Sequence, residues 1–203
     1  MKGLDPEVEN SVRKAAKVFE KQGVELVDIS LPHTEYAISV YYIIQPAEVS
    51  SNLGRYDGVR YGNRRETFGD EAKRRIMLGT YALSAGYYDA FYLKAQKVRS
   101  KIIEDFKKAF EKVDVILAPV SPTPAFKLGE KAKDPLQMYL ADVLTVAANV
   151  AGIPGLSIPS GFTKKGLPLG FQLMGPRFSE SKLFEIGKMY EKGANWSPKI
   201  AFQ

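Results

Sequence analysis

Apolar residues recur at helical spacing just after Asp5-Pro6-Glu7: Val8, Val12, Ala15 and Phe19 fall on one face. Asp5 suits an N-cap, Pro6 the first helical position and Glu7 the positive end of the helix dipole. Gly23 is placed to stop that helix. A short β-rich run, VELVDISL at 24–31, follows and is ended by Pro32, so the chain reads as a helix feeding a strand. Residues 34–53 predict a second helix with Tyr36, Val40, Ile43, Ile44 and Val49 on its bulky face and a kink or shifted start at Pro46. The Gly- and Arg-rich stretch 55–68 predicts a loop, Gly69-Asp70 opens a third helix reaching Leu83, and 87–112 predicts a long amphipathic helix. Its inward positions are Leu93, Val98, Ile102, Ile103, Phe106 and Phe110.

The pattern then changes. VDVILAPV at 113–120 is almost wholly apolar and ends near Pro119, the mark of a strand covered on both faces. Two prolines make 121–133 a loop, and Asp134-Pro135 caps a helix expected to run through Asn149 and end near Gly152. Gly155–Phe162 and 169–175 read as strands joined by the Lys164-Lys165-Gly166 turn, and Ser179-Glu180 starts a last helix to about Lys192. From Trp196 the chain reads as a tail. These elements predict an α/β protein with a mixed β-sheet covered by helices on both faces, and residues 1–203 as a single domain.

Composition narrows the class. The 203 residues are 45% hydrophobic and 11% aromatic, with no cysteine and a single histidine, His33. Disulfides, thiolate metal sites, a cysteine nucleophile and multi-histidine metal sites are thereby excluded, and the lack of cysteine fits a reducing, cytoplasmic setting. No apolar run reaches the ~18 residues of a membrane span, and no signal-peptide pattern opens the chain. Lys and Arg (29) exceed Asp and Glu (23), giving a net charge of +6, which permits polyanion contact but fits a well-solvated surface equally well.

Several chemistries lack their motif: there is no Gly-x-Ser-x-Gly elbow, no phosphate loop and no His-Glu-x-x-His. His33, between Ser30 and Thr34, follows Pro32 without a nucleophile turn, so a turn or capping role is expected. Ser50-Ser51 lies at a helix C-terminus, where the dipole disfavours an alkoxide. Arg75 stands just before Ile76-Met77-Leu78 on a helix whose apolar residues should face the core, which sets its guanidinium at the core's edge. Asp142 sits among Leu140, Ala141, Val143 and Leu144, at a helix-face boundary or buried with a partner, because a lone buried carboxylate is costly. Tyr81, Tyr87, Tyr88 and Tyr92 are expected in core and interface rather than in RNA stacking.

The segments RYDGVRYG (55–62), KRRIMLGTYALSAGYYDAFYLKAQ (73–96) and AGIPGLSIPSGF with GLPLGFQLMG (151–162 and 166–175) resemble the second half of the amidase signature family. Within it, the chain is similar to the glutaminase subunits of tRNA-dependent amidotransferases. The resemblance implies a partial amidase-signature fold and hydrolysis of glutamine, with ammonia passed on to amidate Glu-tRNA(Gln). It implies the B and C subunits of such a complex as partners, ATP and Mg²⁺ used by the partner subunit, and no cofactor held by this chain. The family's catalytic serines and lysine belong to a Gly/Ser-rich half with no counterpart here, so no catalytic residue carries over and the chain alone is expected to be inactive. The substrate side does carry over. The arginine of KRRIMLGT that holds the glutamine carboxylate becomes Arg75, the aspartate of YLADVLT that holds the ammonium becomes Asp142, and a bordering tyrosine becomes Tyr41 or Tyr42. Stretch 63–68 is shorter than the family's usual insert there, which alters the lid of such a pocket. Two rivals stand beside this reading: a portion of a stand-alone amidase for another amide, and a non-catalytic RNA- or subunit-binding module using Lys94, Lys97, Lys101, Lys107 and Lys108.

Overall fold

The face that begins at Val8 folds as α1 (Pro6–Glu20), with Asp5 Oδ1 accepting the Glu7 main-chain N–H at 2.7 Å as the cap. The structure is a computed structural model that describes residues 3–130, 138 and 140–195. After a 3₁₀ turn (Pro32–Tyr36) come α2 (Ala37–Leu53) and α3 (Asp70–Leu83), then a π-helical segment (Tyr88–Leu93) running into α4 (Lys94–Phe110). Strand β1 (Ile116–Pro119), helix α5 (Val146–Ala151), the hairpin β2 (Gly155–Phe162) and β3 (Pro168–Met174), and α6 (Glu180–Gly193) complete the order.

The three described strands lie in the order β1-β3-β2, every pair antiparallel. Alternation along them sorts side chains to two faces. Leu117, Leu156, Ile158, Phe171 and Leu173 meet Val12, Ala15 and Phe19 of α1 and Leu183 and Tyr190 of α6. The opposite face gives Ile116 and Met174 to a second cluster with Val40 and Ile44 of α2, Ile102 and Phe106 of α4, and α5. Helices thus cover both sides of the sheet, as the sequence predicts. The covered strand expected at 113–120 is β1.

Three expectations change. Residues 24–31 form no strand: Val24 packs on one cluster and Ile29 and Leu31 on the other, while Leu26 and Val27 are 48% and 46% exposed. Strand-rich composition is not enough, because a strand needs a hydrogen-bonded neighbour and none lies alongside among the described residues. The helix expected through Asn149 has its start at Asp134-Pro135 outside the described residues, and 141–145 is a turn. The Asp142 carbonyl accepts from the N–H groups of Thr145 and Val146 and from the Thr145 hydroxyl, and α5 starts only afterwards. Gly152, at φ 68°, ends it in the left-handed region that glycine tolerates. Finally, α3 does not bury Met77 and Leu78, which are 72% and 50% exposed. It packs through Gly79 and Ala82 instead, so closely that a Cβ on Gly79 would lie 1.8 Å from the Pro46 carbonyl oxygen.

The loop at 55–68 holds a short 3₁₀ turn (Arg65–Thr67), and its Arg65 guanidinium donates to the carbonyls of Leu53, Gly54 and Tyr56 at 2.7–3.3 Å. These carbonyls lie at and just beyond the C-terminal end of α2, where helices leave acceptors free, so a loop cation caps them; the Leu53 carbonyl also accepts the Tyr56 main-chain N–H.

Candidate substrate-binding site

Close α2–α3 packing sets Arg75 against α2. Its Nε donates to Glu71 Oε1 at 2.9 Å, one helical turn back. Its Nη1 donates to the Tyr41 hydroxyl at 2.9 Å and to Gln45 Oε1 at 3.1 Å, acceptors one turn apart on α2. The guanidinium carbon also lies 5.8 Å from the Tyr41 ring centre and 5.3 Å from that of Tyr42, and the two rings meet edge to face. Burial opposes the charge on Arg75, but the hydrogen bonds to Glu71 and Tyr41 outweigh it and hold the pKa above the usual arginine value. Among the described residues Nη2 has no hydrogen-bond partner. Arg75 is therefore a fixed, 21%-exposed cation with an unengaged donor, an arrangement suited to a carboxylate.

Asp142 sits in the turn at 141–145, exposed, and no ion pair joins it to Arg75 or to another described residue. The structure brings Arg75, Tyr41 and Tyr42 together and leaves Asp142 on a separate segment. That segment leads into α5, which packs on α2 and α4. Sequence reasoning misses Gln45 and Glu71. The spacing of Glu71 to Arg75 is a readable signal, whereas Gln45 is one polar residue on a helix and carries none. One turn beyond Gln45, Ala47, Glu48, Ser51, Asn52, Leu83, Tyr88 and Tyr92 line a cleft of 390 Å³.

The other singled-out residues have structural partners. His33 donates its main-chain N–H to Asp105 Oδ2 at 2.7 Å, and its Nδ1 is 2.9 Å from Oδ1, tying the 3₁₀ turn to α4. Ser50 Oγ pairs with Thr80 Oγ1 at 2.7 Å across α2 and α3. Tyr81, Tyr87, Tyr88 and Phe91 are 39–49% exposed, so they are not core. Tyr81, Tyr87 and Phe91 stack on one another, with 4.2 Å between the Tyr81 and Tyr87 ring centres, and Tyr88 stacks on Tyr92. The lysine-rich face of α4 is partly neutralised, Lys101 and Lys108 both pairing with Glu104. No described helix is long and apolar enough to cross a membrane.

The sequence profile of the Amidase family matches residues 1–184, and the chain belongs to that family. It is 54% identical over 213 aligned positions to the glutamyl-tRNA(Gln) amidotransferase A subunit of Desulfatibacillum aliphaticivorans, covering 98% of this chain and 44% of that relative. The same protein of Myxococcus xanthus is 57% identical over 205 positions, 94% of this chain and 42% of the relative. The crystal structure of its Thermotoga maritima counterpart superposes with a TM-score of 0.74 at 43% identity, over 93% of this chain and 39% of that one. The fold is shared more widely, a 6-aminohexanoate cyclic dimer hydrolase superposing with a TM-score of 0.76 at 20% identity, 95% of this chain and 42% of that one. The chain thus spans less than half the length of the relatives it matches.

Proposed function

We propose that this chain forms the substrate-gripping part of the amidase subunit of a glutamyl-tRNA(Gln) amidotransferase, which hydrolyses glutamine to supply ammonia for converting Glu-tRNA(Gln) to Gln-tRNA(Gln). One observation carries the reading: a partly buried arginine, locked by Glu71, Tyr41 and Gln45, keeps Nη2 for a ligand. A free amino acid needs opposite charges for its α-carboxylate and α-ammonium. Arg75 supplies the first, Tyr41 and Tyr42 wall the guanidinium, and Asp142 supplies the second. The relatives' names support glutamine as the amide donor. ATP and Mg²⁺ serve the partner subunit that activates Glu-tRNA(Gln), and the assembly of A, B and C subunits works in the cytoplasm. No Gly-Ser-Ser-Gly-Gly segment occurs in the sequence, so these residues bind and orient, and the nucleophile comes from elsewhere in the amidase domain.

Calorimetric titration of the purified 203-residue chain with L-glutamine tests this. Arg75→Lys, which keeps the charge but removes the planar fork, is expected to weaken binding about 10- to 100-fold, from the ~1.5–3 kcal/mol of a charged hydrogen bond. Asp142→Asn is expected to weaken glutamine while leaving the uncharged propionamide unaffected. Equal losses on glutamine and propionamide would instead indicate a pocket for simple amides.

A further inference from the structure

Gln172 is an amide in an otherwise apolar stretch of β3, 5% exposed, between Phe171 at 0% and Leu173 at 1%. Its Nε2 donates twice, to the Pro119 carbonyl at the end of β1 (2.9 Å) and to the Leu144 carbonyl (2.8 Å). An amide nitrogen has two protons, so both are used. The two acceptors are far apart in sequence, and Leu144 lies outside the sheet, in the turn at 141–145. Among the described residues the turn's other bonds are local: Thr145 and Val146 donate to the Asp142 carbonyl, Val143 to that of Leu140 and Ala141 to that of Met138. Among the described residues Gln172 is thus the side chain that hydrogen-bonds the Asp142 turn to the sheet. A methionine of similar volume would fill the space but would remove the donor from both carbonyls, the buried one of Pro119 and the partly buried one of Leu144.

We propose that Gln172 is a positioning residue for the glutamine site: it fixes the turn that presents Asp142 and so sets the ammonium end of the pocket. The role in binding rests on the function proposed above; the role in holding the turn does not. Amide hydrogen exchange and glutamine titration on the same chain separate the two. In Gln172→Met, exchange at the Thr145 and Val146 N–H groups is expected to speed by about tenfold or more relative to the β2–β3 ladder, since local opening sets those rates. Met174→Leu, in the same strand, is expected to leave that ratio unchanged. Glutamine affinity is expected to fall by roughly tenfold in Gln172→Met, with no additional loss when Asp142→Asn is also present and an additive loss with Arg75→Lys. Unchanged exchange at Thr145 and Val146 overturns the proposal, and so does faster exchange with unchanged glutamine affinity. If the unsubstituted chain does not bind glutamine, the proposed function falls and the exchange ratio alone decides the turn-holding role. Should Gln172→Met not fold, the side-chain ¹⁵N resonance of Gln172 in the unsubstituted protein decides: it is expected to shift on glutamine addition and not to shift in Asp142→Asn, and a resonance indifferent to glutamine that still binds overturns the proposal.

Discussion

Arg75 commits three of its N–H groups to Glu71, Tyr41 and Gln45 and leaves Nη2 over, and that is why a single side chain can be both structural and receptive. Its ion pair with Glu71, which is 47% exposed, stabilises little in itself, so its effect is to aim the fork. Tyr41→Phe therefore is expected to weaken glutamine binding only about two- to tenfold, because one hydrogen bond of ~0.5–1.5 kcal/mol is lost while the ring stays beneath the cation. Calorimetry that found it as damaging as Arg75→Lys would make the hydroxyl a direct ligand contact. A different tyrosine governs alkaline behaviour. Burial pushes the Tyr190 phenol above the usual tyrosine range, so the folded chain holds that proton more tightly than the unfolded chain does. The stability it contributes is whole below the unfolded value of about 10 and is lost as pH rises through the folded one. Tyr190→Phe is expected to flatten that alkaline decline in urea titrations above about pH 10, and an unchanged slope would assign the decline to other groups. At this scale the sequence is legible where chemistry is concentrated. Arg75 and the tyrosines stand out through family likeness, whereas Gln45 and Gln172 act through partners distant in sequence and look like any other glutamine.

Helices α2 and α3 illustrate how an element's environment decides its effect. Helix propensity alone makes Gly79→Ala favourable by about 1 kcal/mol. The Pro46 carbonyl stands where the new Cβ would go, and backbone cannot step aside cheaply, so Gly79→Ala is expected to destabilise by about 1–3 kcal/mol and to loosen Arg75 from Tyr41. Chemical denaturation showing a stabilised variant would sink that account. The turn before α6 offers the opposite case. Phe178 holds φ at 64° while 92% exposed, so it carries left-handed strain with almost no burial in return. Phe178→Asn is expected to stabilise by about 0.5–1 kcal/mol in thermal melts, since asparagine tolerates that region, and a lowered melting point would show that the ring is held by contacts. Elements with a local rationale are readable in advance: the α1 cap, the α4 face and the hairpin at Gly166. What escapes the sequence is non-local. Residues 24–31 have the composition of a strand but no neighbour, and α3 buries its smallest residues because α2 demands a close approach, which apolar periodicity does not register.

On the scale of the molecule, the sheet is shared property: its one face serves α1 and α6, its other face α2, α4 and α5. Strand β3 contributes to both through Phe171 and Leu173 on one side and Met174 on the other, so neither cluster can be dissolved without exposing the back of the other. If the expected single domain holds, this arrangement has a sharp consequence. Phe171→Ala, in the first cluster, and Phe106→Ala, in the second, are each expected to lower stability by about 3–5 kcal/mol. Both losses are expected within a single cooperative transition, with far-UV circular dichroism and methyl NMR signals from Val12 and Ile102 melting together. The alternative is two clusters that merely touch. Then Phe171→Ala would release the Val12 signals at a denaturant concentration where the Ile102 signals remain native. The shared strand forbids that separation, because every residue of β3 that leaves the α1 face uncovers the ladder holding Gln172, and with it the turn of Asp142.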